Sequence, residues 1–353
     1  MTILFLIHKP QARGQELFAS LLGNKLLDLG HKVTLLSLYP GEFELPFQGR
    51  LLCIDSNSMG IKSLKKLSKR IAEIQPDIIQ ANGGDTLKAM VLARQLFPFK
   101  GKLIFNNGGV IGHYLSSEIH RIFYRFLLSR LDAAVSVSRF SAKDLSKWMP
   151  KNIPQVVIPI GVDAAKSIDL MPKVPNPVFV CIAGFTPEKN HEFLISAFTK
   201  FSQLHPKAQL WLIGDGPLKS KIEKLVKESE AGSMLFLGAL TEPWAAVPSN
   251  AVLLLPSKME GTPSVLAEAA LAKIPSVAFA VGGIAEMMEG ITSCNLIAPD
   301  QEEDFLDAMN LCLNLEEGGK SSRLEASKAM ALERFSLDKV TRSFLEFYTQ
   351  VCG

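Results

Sequence analysis

Residues 251–255, Ala-Val-Leu-Leu-Leu, form an unbroken apolar run that ends at Pro256-Ser257. A run of that length reads as a strand buried on both faces, the habit of a parallel sheet covered by helices. Pro256 and Ser257 stop it before a polar loop. A helix is expected next: Thr262 is a candidate cap, Pro263 suits the first helical position because no amide hydrogen is needed there, and residues 265–272 are good helix formers. Strand, loop and helix in this order aim free backbone N–H groups and a partial positive charge at the carboxyl edge of a sheet, where anions such as phosphate bind. Glu260 and Glu268 bracket the turn, and carboxylates accept paired hydrogen bonds from sugar hydroxyls. Such a unit can hold a phosphate with a sugar on each side.

Two glutamates at this spacing are commonplace on surface helices, so the weight lies in their context. With Gly261, Pro263 and the later pair Gly282-Gly283, the stretch resembles the signature of retaining GT-B glycosyltransferases of the family-4 type. The resemblance spans essentially the whole chain, with its specific motifs in residues 156–290. It implies an α/β fold of the GT-B kind, two Rossmann-like domains facing each other across a cleft. Residues 1–163 would be the acceptor domain and 164–335 the nucleotide-sugar domain, with a helix over 336–353 crossing back to the first.

A chain of 353 residues suits two domains. Its apolar content, 47%, indicates large cores, yet no apolar run approaches the roughly 18 residues of a membrane span. Residues 1–7 read as a first strand, since they lack a basic leader. The cysteines Cys53, Cys181, Cys294, Cys312 and Cys352 are scattered, which suggests neither a zinc site nor a disulfide framework, and a cytoplasmic location is expected. Charge is uneven. Residues 1–150 carry 20 Lys and Arg against 11 Asp and Glu, and residues 151–353 carry 18 against 24. A basic first half suits an anionic partner such as an acidic membrane surface, and suits solvated charged helices equally.

The first half opens as βαβ, with strands at 2–7 and 32–37 around a helix at 16–29. Between the first strand and that helix, Arg13-Gly14 stands where the resembled family has a glycine-rich turn, and only Gly14 matches. Ile61, Leu64, Leu67, Ile71 and Ile74 share a helical face, with Lys62, Lys65, Lys66, Lys69 and Arg70 around the rest. A helix of this kind either packs its apolar face into a core or lies on anionic lipid. Strands ending at Asn82-Gly83-Gly84 and Asn106-Asn107-Gly108-Gly109 place two loops on one edge. Where relatives often carry a histidine near the donor sugar, this chain has Asn106 or Asn107, amides that bind but cannot serve as a base. His113 is nearby as an alternative contact for acceptor or sugar, as is Arg13. Ser141 is a candidate cap for the helix after the next strand.

The segment Val156-Val157-Ile158-Pro159-Ile160-Gly161-Val162-Asp163 resembles the family linker, with Ile160 in place of Asn, and residues 164–177 mark the domain boundary. In the loop 183–190 the family carries an Arg and a Lys that grip the donor diphosphate. Lys189 matches the lysine, while the Arg position falls on Gly184. Two substitutes are open: Arg13, or backbone amides at Gly184 and at the helix start by Val265. Gly214-Asp215-Gly216-Pro217 matches a family turn, and the loop at Ala239-Leu240 is where relatives hold the base through main chain.

The resemblance thus implies a retaining, metal-independent transfer of a sugar from a nucleotide-diphosphate sugar, UDP or GDP linked, to a glycan or lipid-linked acceptor. The expected donor site comprises Gly14, Gly184, Lys189, Gly214, Leu240, Glu260, Gly261, Thr262, Pro263, Ser264, Val265, Leu266 and Glu268. Lys189 and Glu260 are the groups nearest the chemistry, Lys189 on the diphosphate and Glu260 on the sugar hydroxyls. Glu268 would hold ribose. No cofactor, resident metal or nucleic-acid partner is expected; peripheral contact with an anionic membrane through the basic half stays open beside the solvated-helix reading. A sugar-nucleotide epimerase of similar fold and a non-catalytic donor-binding or partner subunit are the alternatives.

Overall fold

The computed structural model describes residues 1–56, 58–163, 168–229, 233–314 and 317–353, the side chains of 314–321 excepted. Residues 164–167, part of the expected linker, lie outside it. The chain divides into two units, Met1–Asp163 with Phe335–Gly353, and Ala164–Arg334.

The first unit contains β1 (Thr2–Ile7), α1 (Gly14–Asp28), β2 (Lys32–Ser37), β3 (Arg50–Cys53), α2 (Ile61–Ile74), β4 (Ile78–Asn82), α3 (Gly84–Leu96), β5 (Lys102–Asn107), α4 (Glu118–Leu128), β6 (Ala133–Ser136), α5 (Arg139–Leu145) and β7 (Gln155–Val157). Its strands pair in parallel in the order β3-β2-β1-β4-β5-β6-β7. Successive residues of β1 point to opposite faces, as the two-residue period of a strand requires. Ile3, Phe5 and Ile7 enter one core with Phe18 and Leu22 of α1. Leu4 and Leu6 enter the other with Leu64, Leu67 and Ile71 of α2. Ile61, expected on that same face, is exposed, because it is the first residue of its helix and lies beyond the sheet-facing turns. The N-cap of α5 is Ser138, whose Oγ accepts from the Ser141 amide at 3.1 Å, so Ser141 is the capped residue and not the cap.

The second unit contains β8 (Val178–Ile182), α6 (His191–Leu204), β9 (Gln209–Ile213), α7 (Lys219–Glu228), β10 (Met234–Gly238), β11 (Val252–Leu255), α8 (Ser264–Leu271), β12 (Ser276–Phe279), α9 (Ile284–Met287), β13 (Cys294–Ile297), α10 (Glu302–Asn314) and α11 (Glu317–Phe335). Its parallel order is β10-β9-β8-β11-β12-β13. Both sheets are therefore doubly wound, and the strand order reverses between β1 and β4 in one and between β8 and β11 in the other. Ligands of such sheets bind outside the carboxyl ends of the strands at the reversal.

A last helix, α12 (Leu337–Cys352), belongs to the first unit. Backbone bonds from Val162 N to Phe335 O (2.8 Å) and from Leu337 N to Val162 O (3.0 Å) set its start. Leu337, Val340, Phe344 and Tyr348 are buried against the α1 side of the sheet, with the Phe344 and Phe18 rings 5.8 Å apart. The buried Tyr348 hydroxyl donates to Gln80 Oε1 at 2.5 Å, and the buried Thr341 hydroxyl to Leu337 O at 2.7 Å, so both polar groups on that face are satisfied. Among the described residues no helix is long and apolar enough to cross a membrane.

Candidate functional site

The reversal point of the second sheet lies between the loops that leave β8 and β11. The β8 loop runs through Gly184 and a short 3-10 turn, Pro187–Lys189, to Asn190, whose left-handed backbone (φ 54°) turns the chain into α6. The β11 loop runs from Pro256 to Pro263. A backbone bond from Lys258 N to Glu188 O (2.8 Å) clamps the two loops together. That clamp brings Lys189 Nζ to Glu260 Oε1, to which it donates at 2.5 Å. Ser257, fully buried, donates its hydroxyl to the same oxygen at 2.7 Å.

The neighbouring loops press on this pair through glycines. Gly282, at φ +57°, sits so close to Glu260 that a Cβ there would lie 1.9 Å from its carbonyl oxygen, and the next amide, Gly283 N, donates to that oxygen at 3.2 Å. Gly214, at φ +151°, is packed against Ala183, whose carbonyl oxygen would be 2.0 Å from a Cβ. No other residue fits either place. Gly184 differs. It is exposed, and a Cβ would find only Asp215 O, at an ordinary 3.7 Å. The backbone there leaves room for a side chain, so close packing within the protein does not require glycine at 184.

Helix α8 begins at Ser264, with Pro263 in extended conformation as N-cap. This corrects the expected cap. Thr262 stands one residue too far upstream for its hydroxyl to reach the first turn, and its buried Oγ1 has no hydrogen-bond partner. The amides of Ser264 and Val265 donate to no protein group among the described residues, while Leu266 N reaches back to Pro263 O (3.2 Å). The side chains of Val265 and Leu266 are buried, so these residues offer the site main chain only. The first turn of α8 thus presents open donors beside the Lys189–Glu260 pair.

Glu268, one turn further in, is fixed by a residue that sequence reasoning missed. Trp244 Nε1 donates to Glu268 Oε2 at 2.8 Å from the short helix Pro243–Ala246. Burial raises the Glu268 pKa above its ordinary value, and hydrogen bonds from Trp244 and Ser264 pull it partly back. Ser257 was missed as well. The one signal for Trp244 in the sequence is a large aromatic inside an otherwise polar and small-residue loop. The Ala239 and Leu240 main chain, just after β10, makes no hydrogen bond among the described residues. Beneath the Lys189 loop, His191 is buried against Phe185 (rings 4.8 Å apart) and Cys181 (Sγ to Nε2 3.9 Å). Burial, with help from the Lys189 charge, lowers the His191 pKa to about 4, and burial pushes the Cys181 thiol up to about 12.

In the first unit the expected contacts are dispersed around one sheet edge. Arg13 is the exposed N-cap of α1, and Gly14 its first residue. Asn106 and Asn107 are the buried end of β5 and not a loop, because β5 stays paired with β6 through Asn107. Asn106 Nδ2 donates to Asn82 Oδ1 at 3.0 Å, which also accepts from Gln80 Nε2 at 3.0 Å, so this amide is tied into a polar chain that reaches Tyr348. Asn106 Oδ1 is buried without a partner. His113 is exposed on the short helix Ile111–Tyr114.

Two family models match this chain. Glycosyltransferase Family 4 covers residues 12–166, and Glycosyl transferases group 1 covers residues 176–314. The chain belongs to the GT-B glycosyltransferases of the family-4 type. Among its relatives, an uncharacterized glycosyltransferase of Methanocaldococcus jannaschii is 23% identical over 62% of this chain and 59% of its own length. An exopolysaccharide phosphotransferase of Streptomyces coelicolor is 30% identical over 63% of this chain and 24% of its own length. The chain thus spans from about a quarter to three-fifths of these two relatives. The crystal structure of Anabaena HepE in complex with UDP-glucose has the same fold, with a TM-score of 0.82 at 20% identity, covering 99% of this chain and 100% of that one.

Proposed function

We propose that this protein moves a sugar from a nucleotide-diphosphate sugar, UDP or GDP linked, to a glycan or lipid-linked acceptor, with retention at the anomeric carbon and without a resident metal. The observation that carries the reading is the cluster at the β8/β11 reversal, where Lys189, Glu260 and the open amides of α8 meet. The HepE complex with UDP-glucose supports the donor class, and the exopolysaccharide phosphotransferase supports a surface-glycan setting.

In this reading the Lys189 ammonium and the Ser264 and Val265 amides face the diphosphate, where negative charge grows as the bond from the sugar anomeric carbon to the phosphate oxygen breaks. Preformed charge and dipoles at the leaving group are the usual large term in such a step. The acceptor oxygen forms its new bond on the same face of the sugar, and its proton passes to the departing phosphate oxygen. Glu260 accepts from hydroxyls of the transferred sugar, and Glu268, held by Trp244, from the ribose. Main chain at Ala239-Leu240 takes the base. The work is cytoplasmic, at the membrane surface where a lipid-linked acceptor is presented.

The test is titration calorimetry with UDP-, GDP- and ADP-sugars, first without and then with Mg2+, followed by NMR of the product anomer. Binding of one diphosphate sugar without metal and a product of unchanged anomeric configuration are expected. Failure to bind any of them removes the donor site and leaves a non-catalytic partner subunit in place of the transferase, and an inverted product removes the retaining step.

A further inference from the structure

We propose that the outward face of α4 seats the protein on an anionic phospholipid surface. A helix on a sheet ordinarily turns its apolar stripe inward. Helix α4 buries Leu127 and Leu128, yet Ile119 is 78% exposed, Ile122 61% and Phe126 37%. Their spacing of three and four residues puts them in one stripe on the wet side. Tyr114, just before the helix, and Phe140, at the start of α5, are exposed as well. The Gly112 amide donates to Asp144 Oδ2 at 2.7 Å and fixes that turn on α5. Exposed apolar residues scattered singly carry no message, whereas a stripe of them does.

The charges around the stripe select its partner. Arg121, Arg125 and Arg130 are all exposed, and Arg130 lies over the Phe126 ring (5.2 Å). The lone acid on α4, Glu118, is paired with Arg121 at 3.1 Å. An apolar stripe carrying aromatic and branched residues between arginines is the composition of a helix lying in the plane of an anionic interface. A second copy of this chain meeting the first across a two-fold axis would set arginines against arginines. Helix α2, with its five exposed basic residues, spends Leu64, Leu67 and Ile71 on the core and leaves Ile61 alone exposed at its first position; it can add attraction but presents no apolar stripe.

This inference rests on the membrane-surface part of the proposed function and is independent of donor binding. The full chain is floated with vesicles of phosphatidylcholine alone or mixed in equal parts with phosphatidylglycerol, at low and high salt. Binding is expected to the mixed vesicles, weakened by salt. The triple variant Ile119→Ser/Ile122→Ser/Phe126→Ser should lose at least about tenfold in affinity, and Arg125→Gln about fivefold. Both should keep the parent thermal midpoint, since the changed residues are exposed. No binding of the parent chain overturns both the inference and the membrane part of the function, leaving the calorimetric result untouched. Binding that survives the triple variant overturns the α4 assignment alone. A parent dimer that the triple variant dissolves would give the face to a second copy instead.

Discussion

Lys189 Nζ and Glu260 Oε1 lie 2.5 Å apart although they come from loops that follow different strands, and the pair is largely shielded, with side-chain exposures of 24% and 9%. Ser257 completes the shell on the same oxygen. In the proposed function one partner serves the diphosphate and the other the sugar, so their contact fixes the distance between the two halves of the donor.

Lys189→Ala should therefore act twice. Loss of a charge-assisted bond to phosphate should weaken donor binding about 10- to 100-fold. It should also leave the Glu260 carboxylate with Ser257 as its one side-chain partner among the described residues, in a shielded place, lowering the thermal midpoint by a few degrees. Calorimetry with the donor and a thermal melt of the same sample check both. Unchanged donor affinity would remove Lys189 from the diphosphate.

Trp244→Phe keeps a ring in the short helix Pro243–Ala246 and removes the single N–H that holds Glu268 Oε2. Nucleotide affinity should fall about tenfold, the worth of one hydrogen bond to a charged group, with no effect on Mg2+ dependence. If the melt shifts while affinity stays, Trp244 is a packing residue and does not orient Glu268.

Much of this site is legible in the sequence because its parts are local. The run ending at Leu255, the stop at Pro256 and the Glu260–Glu268 spacing all lie within one strand, loop and helix, and periodicity reads such a unit directly. The glycines at 214 and 282 are legible for the same reason. The Trp244–Glu268 bond and the Ser257–Glu260 bond are not, because nothing in the chain order says which side chain will stand opposite a carboxylate. Boundaries carry a similar limit: Thr262 and Pro263 both make good starts for a helix, and a shift of one residue decides which of them is the cap. On α4 and α2 the apolar period is visible in both, yet only the packed structure tells that α2 turns it inward and α4 leaves Ile119 and Ile122 in water.

Gly184→Arg is expected to fold normally, since a Cβ at that point meets only Asp215 O at 3.7 Å. A second cation beside Lys189 should tighten diphosphate binding about 3- to 10-fold. Calorimetry with the cognate donor reads it directly. Weaker binding by a well-folded variant would mean that the phosphate approaches the Gly184 main chain and needs the space.

Glu268→Gln separates stability from function. Burial outweighs the Trp244 and Ser264 bonds and raises the carboxyl pKa above the ordinary glutamate value of 4.5. The folded protein thus holds this proton more tightly than the unfolded chain does. The stabilisation from that proton is fully present below pH 4.5 and is lost as pH rises through the folded pKa, so at neutral pH the ionised carboxylate is a cost. The glutamine variant should melt a few degrees higher than the parent at about pH 8, and the gain should vanish near pH 4. Nucleotide affinity should drop at least about tenfold at neutral pH, because one acceptor oxygen and the charge are gone. Calorimetric melts across that pH range, with donor titrations at neutral pH, check the sign. A variant that melts lower at high pH would show that the Trp244 and Ser264 bonds outweigh burial, and one that keeps full affinity would take the ribose away from Glu268.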